Sequence, residues 1–310
     1  MTIDLSRRNM LKSSLAAAVG IAAGQGMGIG RLSTLYAATD STQPMPTRRL
    51  GKTGFDVPIF SLGGQSTIEQ PNRFDDAVGI IHAALDRGVR FIDTSHIYGN
   101  GVSEEYIGAV MKERRDEVFL ATKSRDYSYD GTLRNVEQSL KRLQTDHIDL
   151  YQHHAVNSDN GLREVMGPNG AFKAFAKLQD EGVIKHRGIT GHSSRILHDA
   201  IRQEDFDCVL ITLNPGNMSM NDGEHMAAFM DTAVQKDIGI IGMKVIGRGQ
   251  LLRRPITMTQ AMRYTLSFPV STVIIGITEA GQLDEDVRIA REFEPLSDEQ
   301  MAELESVSRA

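Results

Sequence analysis

The chain has 310 residues, 40% of them hydrophobic, enough to bury a large core. Its net charge is −6 and no basic stripe runs through it, which argues against nucleic acid as a partner. A single cysteine, Cys208, rules out an internal disulfide, and its apolar setting FDCVLITL marks it as a small buried hydrophobe.

Residues 1–38 read as a targeting segment rather than as fold. Charged SRRNMLK, Ser6 to Lys12, precedes a mildly apolar Ala/Gly-rich stretch from Ser13 to Gly30. The pair Arg7-Arg8, followed by Leu11 and Lys12, resembles a twin-arginine export signal, with Met10 where a Phe is common. Five glycines and Gln25 in the apolar stretch argue against a stable membrane span. Cleavage near Ala37-Ala38 would leave a periplasmic protein, delivered by the twin-arginine export machinery. The alternative is a disordered tail on a chain that stays in the cytoplasm.

From residue 45 to the C-terminus, strand and helix patterns alternate. RLGKTGFDVPIF predicts a short hairpin turned at Lys52-Thr53-Gly54. FDDAVGIIHAALDRG carries Ala77, Ile80, Ile81, Ala84 and Leu85 at helical spacing and stops at Gly88. RFIDT is a strand, SEEYIGAVMKERR a helix, and VFLAT a strand. TLRNVEQSLKRLQT is a helix with Val136, Leu140 and Leu143 on one face. HIDLYQH, a helix from about Ala171 to Asp180, and IKHRGITG continue the alternation. DCVLITL, IGIIGMKV and STVIIGI are further buried strands between helical stretches. Short β-branched runs between amphipathic helices demand a parallel sheet covered on its outer face. About eight such units predict one (β/α)8 TIM barrel over residues 45–310, entered by the hairpin.

Asp93, Lys123 and His154 each fall at the end of one of these strands, and Tyr98 lies in the Gly-bounded loop after Asp93. In a parallel barrel that end carries the chemistry. A tyrosine has a reference pKa of about 10 and holds its proton too firmly for neutral pH. A nearby ammonium favours the phenolate, so Lys123 is expected to lower the Tyr98 pKa and make it a better acid. Taken singly, Asp93-Thr94 would cap a turn and Lys123 would be a solubilising charge. His153 and His154 are adjacent on a strand and face opposite ways, so one metal could hardly take both, and no metal is expected.

The segments GVRFIDTSHIYGNGVSEEYIG, FLATKS and DHIDLYQHH together resemble the aldo-keto reductase superfamily. RRLGKTGFDVPIFSLGG and IGRGQLL add to the likeness, which runs from about Met45 to the C-terminus. The resemblance makes Asp93, Tyr98, Lys123 and His154 the catalytic tetrad of a carbonyl reductase. Its histidine follows an aspartate by five residues, here Asp149, which selects His154 over His153. It further implies hydride transfer between NADP(H) or NAD(H) and a small carbonyl substrate, with Asp93 also near the nicotinamide ribose.

On the cofactor side the chain departs from the family it resembles. Thr190-Gly191 stands where a Ser-Asn pair holds the carboxamide, and Leu210 where a glutamine is common. Met243 replaces a stacking tyrosine and can pack on a ring through its sulfur. Lys244 and Arg248 are candidates for the pyrophosphate, though Arg248 could equally be a surface charge at the barrel rim. Gly276, Thr278, Gln282, Glu285 and Asp286 occupy the adenosine end, Asp286 in place of a usual asparagine. Without an arginine there, a 2′-phosphate loses its strongest partner, so weaker discrimination for NADPH is expected.

A second class stays open: an exported cofactor-binding or sensor barrel with little turnover. The intact tetrad favours catalysis. Loops 65–72, 124–130, 155–168 and 214–223 are the expected pocket walls, offering Tyr127, Tyr129, Met166, Met218 and Met220 either as an apolar lining or as loop anchors.

Overall fold

The computed structural model describes residues 44–220 and 222–309, so the segment read as an export signal lies outside the described residues. Strand β1 (Thr47–Arg49) pairs antiparallel with β2 (Asp56–Pro58), Arg48 opposite Val57. The turn between them holds Gly51 at φ +48, and a Cβ there would lie 2.2 Å from the Gly239 amide nitrogen. Only glycine lets the hairpin sit this close to the barrel. Lys52 N donates to Asp237 O at 2.8 Å on the same contact.

Eight parallel strands then alternate with helices: β3 (Phe60–Gly63), α1 (Phe74–Asp86), β4 (Phe91–Asp93), α2 (Val102–Arg114), β5 (Phe119–Ser124), α3 (Tyr129–Leu143) and β6 (Ile148–His153). The chain continues through α4 (Asp159–Met166), α5 (Ala171–Asp180), β7 (Ile184–Gly191), α6 (Ser194–Gln203), β8 (Cys208–Thr212), α7 (Met226–Gln235) and β9 (Gly239–Met243). It ends with α8 (Met258–Leu266), β10 (Thr272–Gly276), α9 (Ala280–Arg291) and α10 (Asp298–Arg309). Strands β3 to β10 lie in sequence order and close into a barrel, β10 against β3. The predicted (β/α)8 TIM barrel and its entry hairpin are both present.

The helices bury the faces their spacing defines. In α1, Ala77, Ile80, Ile81, Ala84 and Leu85 are all buried. In α3, Val136 and Leu143 are buried, and the Ser128 side chain caps the first turn by accepting from Gly131 N. The segment 155–168, expected as a pocket loop, instead contains α4. Ser158 caps it from Gly161 N, and Leu162 and Val165 anchor it. Eight residues make barely two turns, too few for a periodic pattern to stand out.

The barrel interior is filled from its N-terminal mouth. Leu50 and Val57 of the hairpin pack with Phe91, Phe119, Ala121, Leu150, Cys208, Leu210, Ile241 and Met243, and Phe55 stacks on Phe119 at 4.6 Å between ring centres. Cys208 is buried, as its apolar setting required. This apolar plug leaves the opposite mouth, at the C-terminal ends of the strands, for polar groups. Among the described residues no helix is long and apolar enough to cross a membrane.

Candidate active site

Asp93 is the last residue of β4, Lys123 the penultimate residue of β5, and His154 directly follows β6. Tyr98 opens a short 3-10 turn, Tyr98–Gly101. The next residue, Gly99, has φ +56, and a Cβ on it would lie 2.1 Å from the Glu69 carbonyl oxygen. That close approach requires glycine and tucks the Tyr98 loop under the loop after β3.

The four side chains converge. Lys123 Nζ donates to Asp93 Oδ2 at 2.5 Å and to Thr94 O at 2.6 Å, and lies 3.4 Å from the Tyr98 hydroxyl. Asp93 Oδ1 accepts from Gln152 Nε2 at 2.9 Å. The His154 ring stands edge-on to the Tyr98 ring, 5.7 Å between centres, with Nδ1 3.0 Å from Ser95 Oγ. His153 turns the other way and stacks on Phe175 at 3.8 Å, its ring nitrogens buried without a hydrogen-bond partner. Strand alternation thus gives the two histidines different lives, one packing and one facing the site.

The electrostatics follow from burial. Burial alone would lower Lys123, but Asp93 and Tyr98 outweigh it and carry the ammonium above its ordinary value. Tyr98 behaves differently from the expectation. Desolvation is its largest influence and outweighs the lowering by Lys123, while Asp93 pushes in the same upward direction, so the hydroxyl lies above its usual range. The sequence showed the ammonium but not the water-excluding surroundings or the nearby carboxylate. Burial, then Lys123 and Arg125, drive His154 down to about 2, leaving a neutral imidazole at physiological pH.

Beside the tetrad runs a cavity of about 570 Å³ whose walls include Asp93, Tyr98, Met243, Lys244, Arg248, Gly276, Thr278, Gln282, Glu285 and Asp286. Every expected cofactor residue except Thr190 and Gly191 therefore lines one space. Thr190 is committed elsewhere: its Oγ1 accepts from Ala155 N at 2.9 Å, steadying the loop after β6. A Cβ at Gly191 would meet Val156 O at 2.7 Å, so that backbone too serves the loop. Gln65, Ser66 and Glu69 also form walls, from the loop 65–72 expected to line the pocket, though sequence reasoning named none of the three individually. Nor did it find Gln152, although Gln152 is the register partner of Lys123 and shares the strand face of Leu150. Counting back by two from His154 would have found it.

A nicotinamide dinucleotide fits this chemistry. The volume falls within the range of small-molecule sites. Lys244 Nζ reaches Gln65 Oε1 at 2.9 Å, and burial together with Arg248 and Lys123 brings Lys244 down to about 8. Two cations at one wall and a buried carboxyl at another suit a ligand with phosphates along its length and polar groups at its tip. Among the expected pocket residues, Tyr127 acts as an anchor: its hydroxyl donates to His154 O at 3.0 Å and Ala155 O at 2.8 Å.

The family model described as the aldo/keto reductase family matches residues 60–262. An uncharacterized oxidoreductase of Bacillus subtilis, YqkF, is 24% identical over 310 residues, covering 84% of this chain and 96% of that protein. L-galactose dehydrogenase of Arabidopsis thaliana is 25% identical over 302 residues, covering 84% and 93%. An aldo/keto reductase of Klebsiella pneumoniae, solved in complex with NADP and acetate, superposes with a TM-score of 0.69 at 21% identity, covering 86% of this chain and 96% of that one.

Proposed function

The chain belongs to the aldo/keto reductase family and is an oxidoreductase, and from that premise we propose that it reduces an aldehyde or ketone to an alcohol with NADP(H) or NAD(H), Tyr98 donating the proton. The observation that carries this reading is the position of Lys123 Nζ, bonded to Asp93 and 3.4 Å from the Tyr98 hydroxyl beside a cavity of cofactor size. When bound, the reduced dinucleotide supplies hydride to the carbonyl carbon. Tyr98, kept protonated by its surroundings, passes its proton to the carbonyl oxygen, and the Lys123 ammonium stabilises the phenolate left behind. Asp93 keeps that ammonium charged within the buried site. His154, its Nδ1 held 3.0 Å from Ser95 Oγ, acts in this reading as the Nε2–H tautomer and gives the carbonyl oxygen a hydrogen bond from that nitrogen.

Lys244 and Arg248 are assigned to the pyrophosphate. At the α9 end, Arg288 is paired with Glu292 at 2.5 Å, and Arg291 reaches the Arg87 carbonyl. With those arginines engaged and Glu285 and Asp286 close by, discrimination in favour of NADPH over NADH is weak. The contact from Asp93 through Lys123 to Tyr98 favours turnover over a binding-only barrel, which has no use for it.

The test is Tyr98→Phe, assayed with NADPH and NADH against a panel of aliphatic and aromatic aldehydes. Turnover should fall by about 10²–10⁴, the usual worth of a positioned acid, with cofactor affinity retained. Near-full turnover in the variant would refute Tyr98 as the proton donor.

A further inference from the structure

Asp286 is the one cofactor-side residue whose setting goes beyond the role expected of it. It stands on α9, in the outer ring of the barrel, is only 3% exposed, and lines the cavity that reaches inward to Asp93 and Tyr98. Among the described residues it has no hydrogen-bond or ion-pair partner. The carboxyl is largely withdrawn from bulk water but lines the cavity, so a ligand bound there displaces the water that reaches it and has to supply contacts in its place.

The charged groups around it give no relief. On α9 itself, Glu285 adds a second carboxylate. Arg87, at the end of α1, is taken by Asp284 at 2.5 Å, and Arg263 of α8 is taken by the Glu294 carbonyl at 2.8 Å. Strand β3, FSLG, carries no charge. Across the cavity stand Glu69, Lys244 and Arg248, none bonded to Asp286.

Resting on the reading of the chain as a dinucleotide-dependent reductase, we propose that Asp286 receives the adenosine end of the cofactor as an uncharged carboxylic acid, so that cofactor binding takes up a proton. Hydride transfer requires the nicotinamide beside Tyr98, inside the barrel mouth, so the far terminus of the dinucleotide extends to the outer ring, where Asp286 lies. A neutral carboxyl offers one donor and one acceptor, the pair that matches adenine N7 and N6–H₂ much as an asparagine amide does. An ionised carboxylate only accepts, and it repels the phosphates. Burial and Glu285 already push Asp286 up to about 7. The phosphates of a bound cofactor raise it further, so the free protein loses the proton first as pH rises. Affinity is therefore full below pH 7 and falls above it.

The experiment measures the dissociation constant of NADH, whose phosphates carry no group that titrates in this range, from pH 6 to pH 9 by the cofactor's own fluorescence, since the chain has no tryptophan. In the wild type it should rise about tenfold between pH 6 and pH 8, as linkage to one group near pH 7 requires. Asp286→Asn, permanently neutral, should hold its pH 6 affinity at pH 8. Lys244 titrates slightly higher and gives a slope of the same sign, so Lys244→Arg is measured in parallel, and the slope should survive it. Calorimetry of the wild type in two buffers of different ionisation heat needs no variant, and it should show uptake of about one proton at pH 8 and almost none near pH 5.5. A flat wild-type profile, a wild-type slope persisting in Asp286→Asn, a slope abolished by Lys244→Arg, or no proton uptake would each overturn the inference while leaving the reductase reading intact. Failure to bind NADPH and NADH at every pH would remove that reading and the inference with it.

Discussion

At the scale of single residues, the site rests on a charge pair with almost no access to water. Asp93 and Lys123 are each 1% exposed and sit 2.5 Å apart. Such a pair gains little net stability, because desolvation of both ions offsets their attraction, but removing one partner strands the other. Lys123→Met should therefore cost about 3–5 kcal/mol in denaturant unfolding, and adding Asp93→Asn should recover part of the loss. An additive double variant, with no recovery, would show that the two charges do not depend on each other. The chemistry of Asp93, Lys123 and His154 was legible because each ends an apolar strand. The acidity of Tyr98 was not, since burial is a property of neighbours far away in the chain. The same holds for Thr190, whose hydroxyl is engaged by the Ala155 amide.

At the scale of elements, Asp149 explains how strands are held in register beneath the site. Its Oδ2 accepts from Arg115 at 2.7 Å and from Leu120 N at 2.9 Å, and its Oδ1 accepts from Lys185 at 2.8 Å. One side chain of β6 thus ties β5, β7 and the turn after α2. Although burial raises it, Arg115 and the backbone of Leu120 hold its pKa below the ordinary value. A depressed folded pKa contributes stability that is present at neutral pH and lost as pH falls through the carboxylate range. Asp149→Ala leaves these donors unsatisfied and should destabilise the barrel by about 2–3 kcal/mol. Cofactor affinity should be unchanged, because Asp149 lies outside the cavity walls; a matching loss of NADPH binding would contradict this purely structural role. In sequence the residue served only to mark the spacing to His154, and its three partners come from three other elements.

At the scale of the whole molecule, the hairpin plugs one mouth of the barrel with apolar side chains and leaves the catalytic groups at the other. This polarity, packing below and chemistry above, follows from parallel strands that all end on the same side. We propose that residues 1–38 direct the folded barrel out of the cytoplasm, carrying its cofactor already bound. Replacing Arg7 and Arg8 with lysine should keep the protein in the cytoplasm of a bacterial host, as read by cell fractionation. Equal export of the lysine variant would remove the twin-arginine assignment.

The sequence by itself determined the strand-helix alternation, the barrel it closes into, and which residues crown its strands. Periodicity and strand ends are local, so neighbouring residues suffice to define them. Only the tertiary structure decided that His153 packs on Phe175 while His154 faces Tyr98, that Gln152 braces Asp93, and that Thr190 serves a loop. It alone revealed Asp286 as a nearly buried residue on the cavity wall with no partner among the described residues. Desolvation and hydrogen-bond satisfaction depend on what the closed barrel brings together from distant parts of the chain.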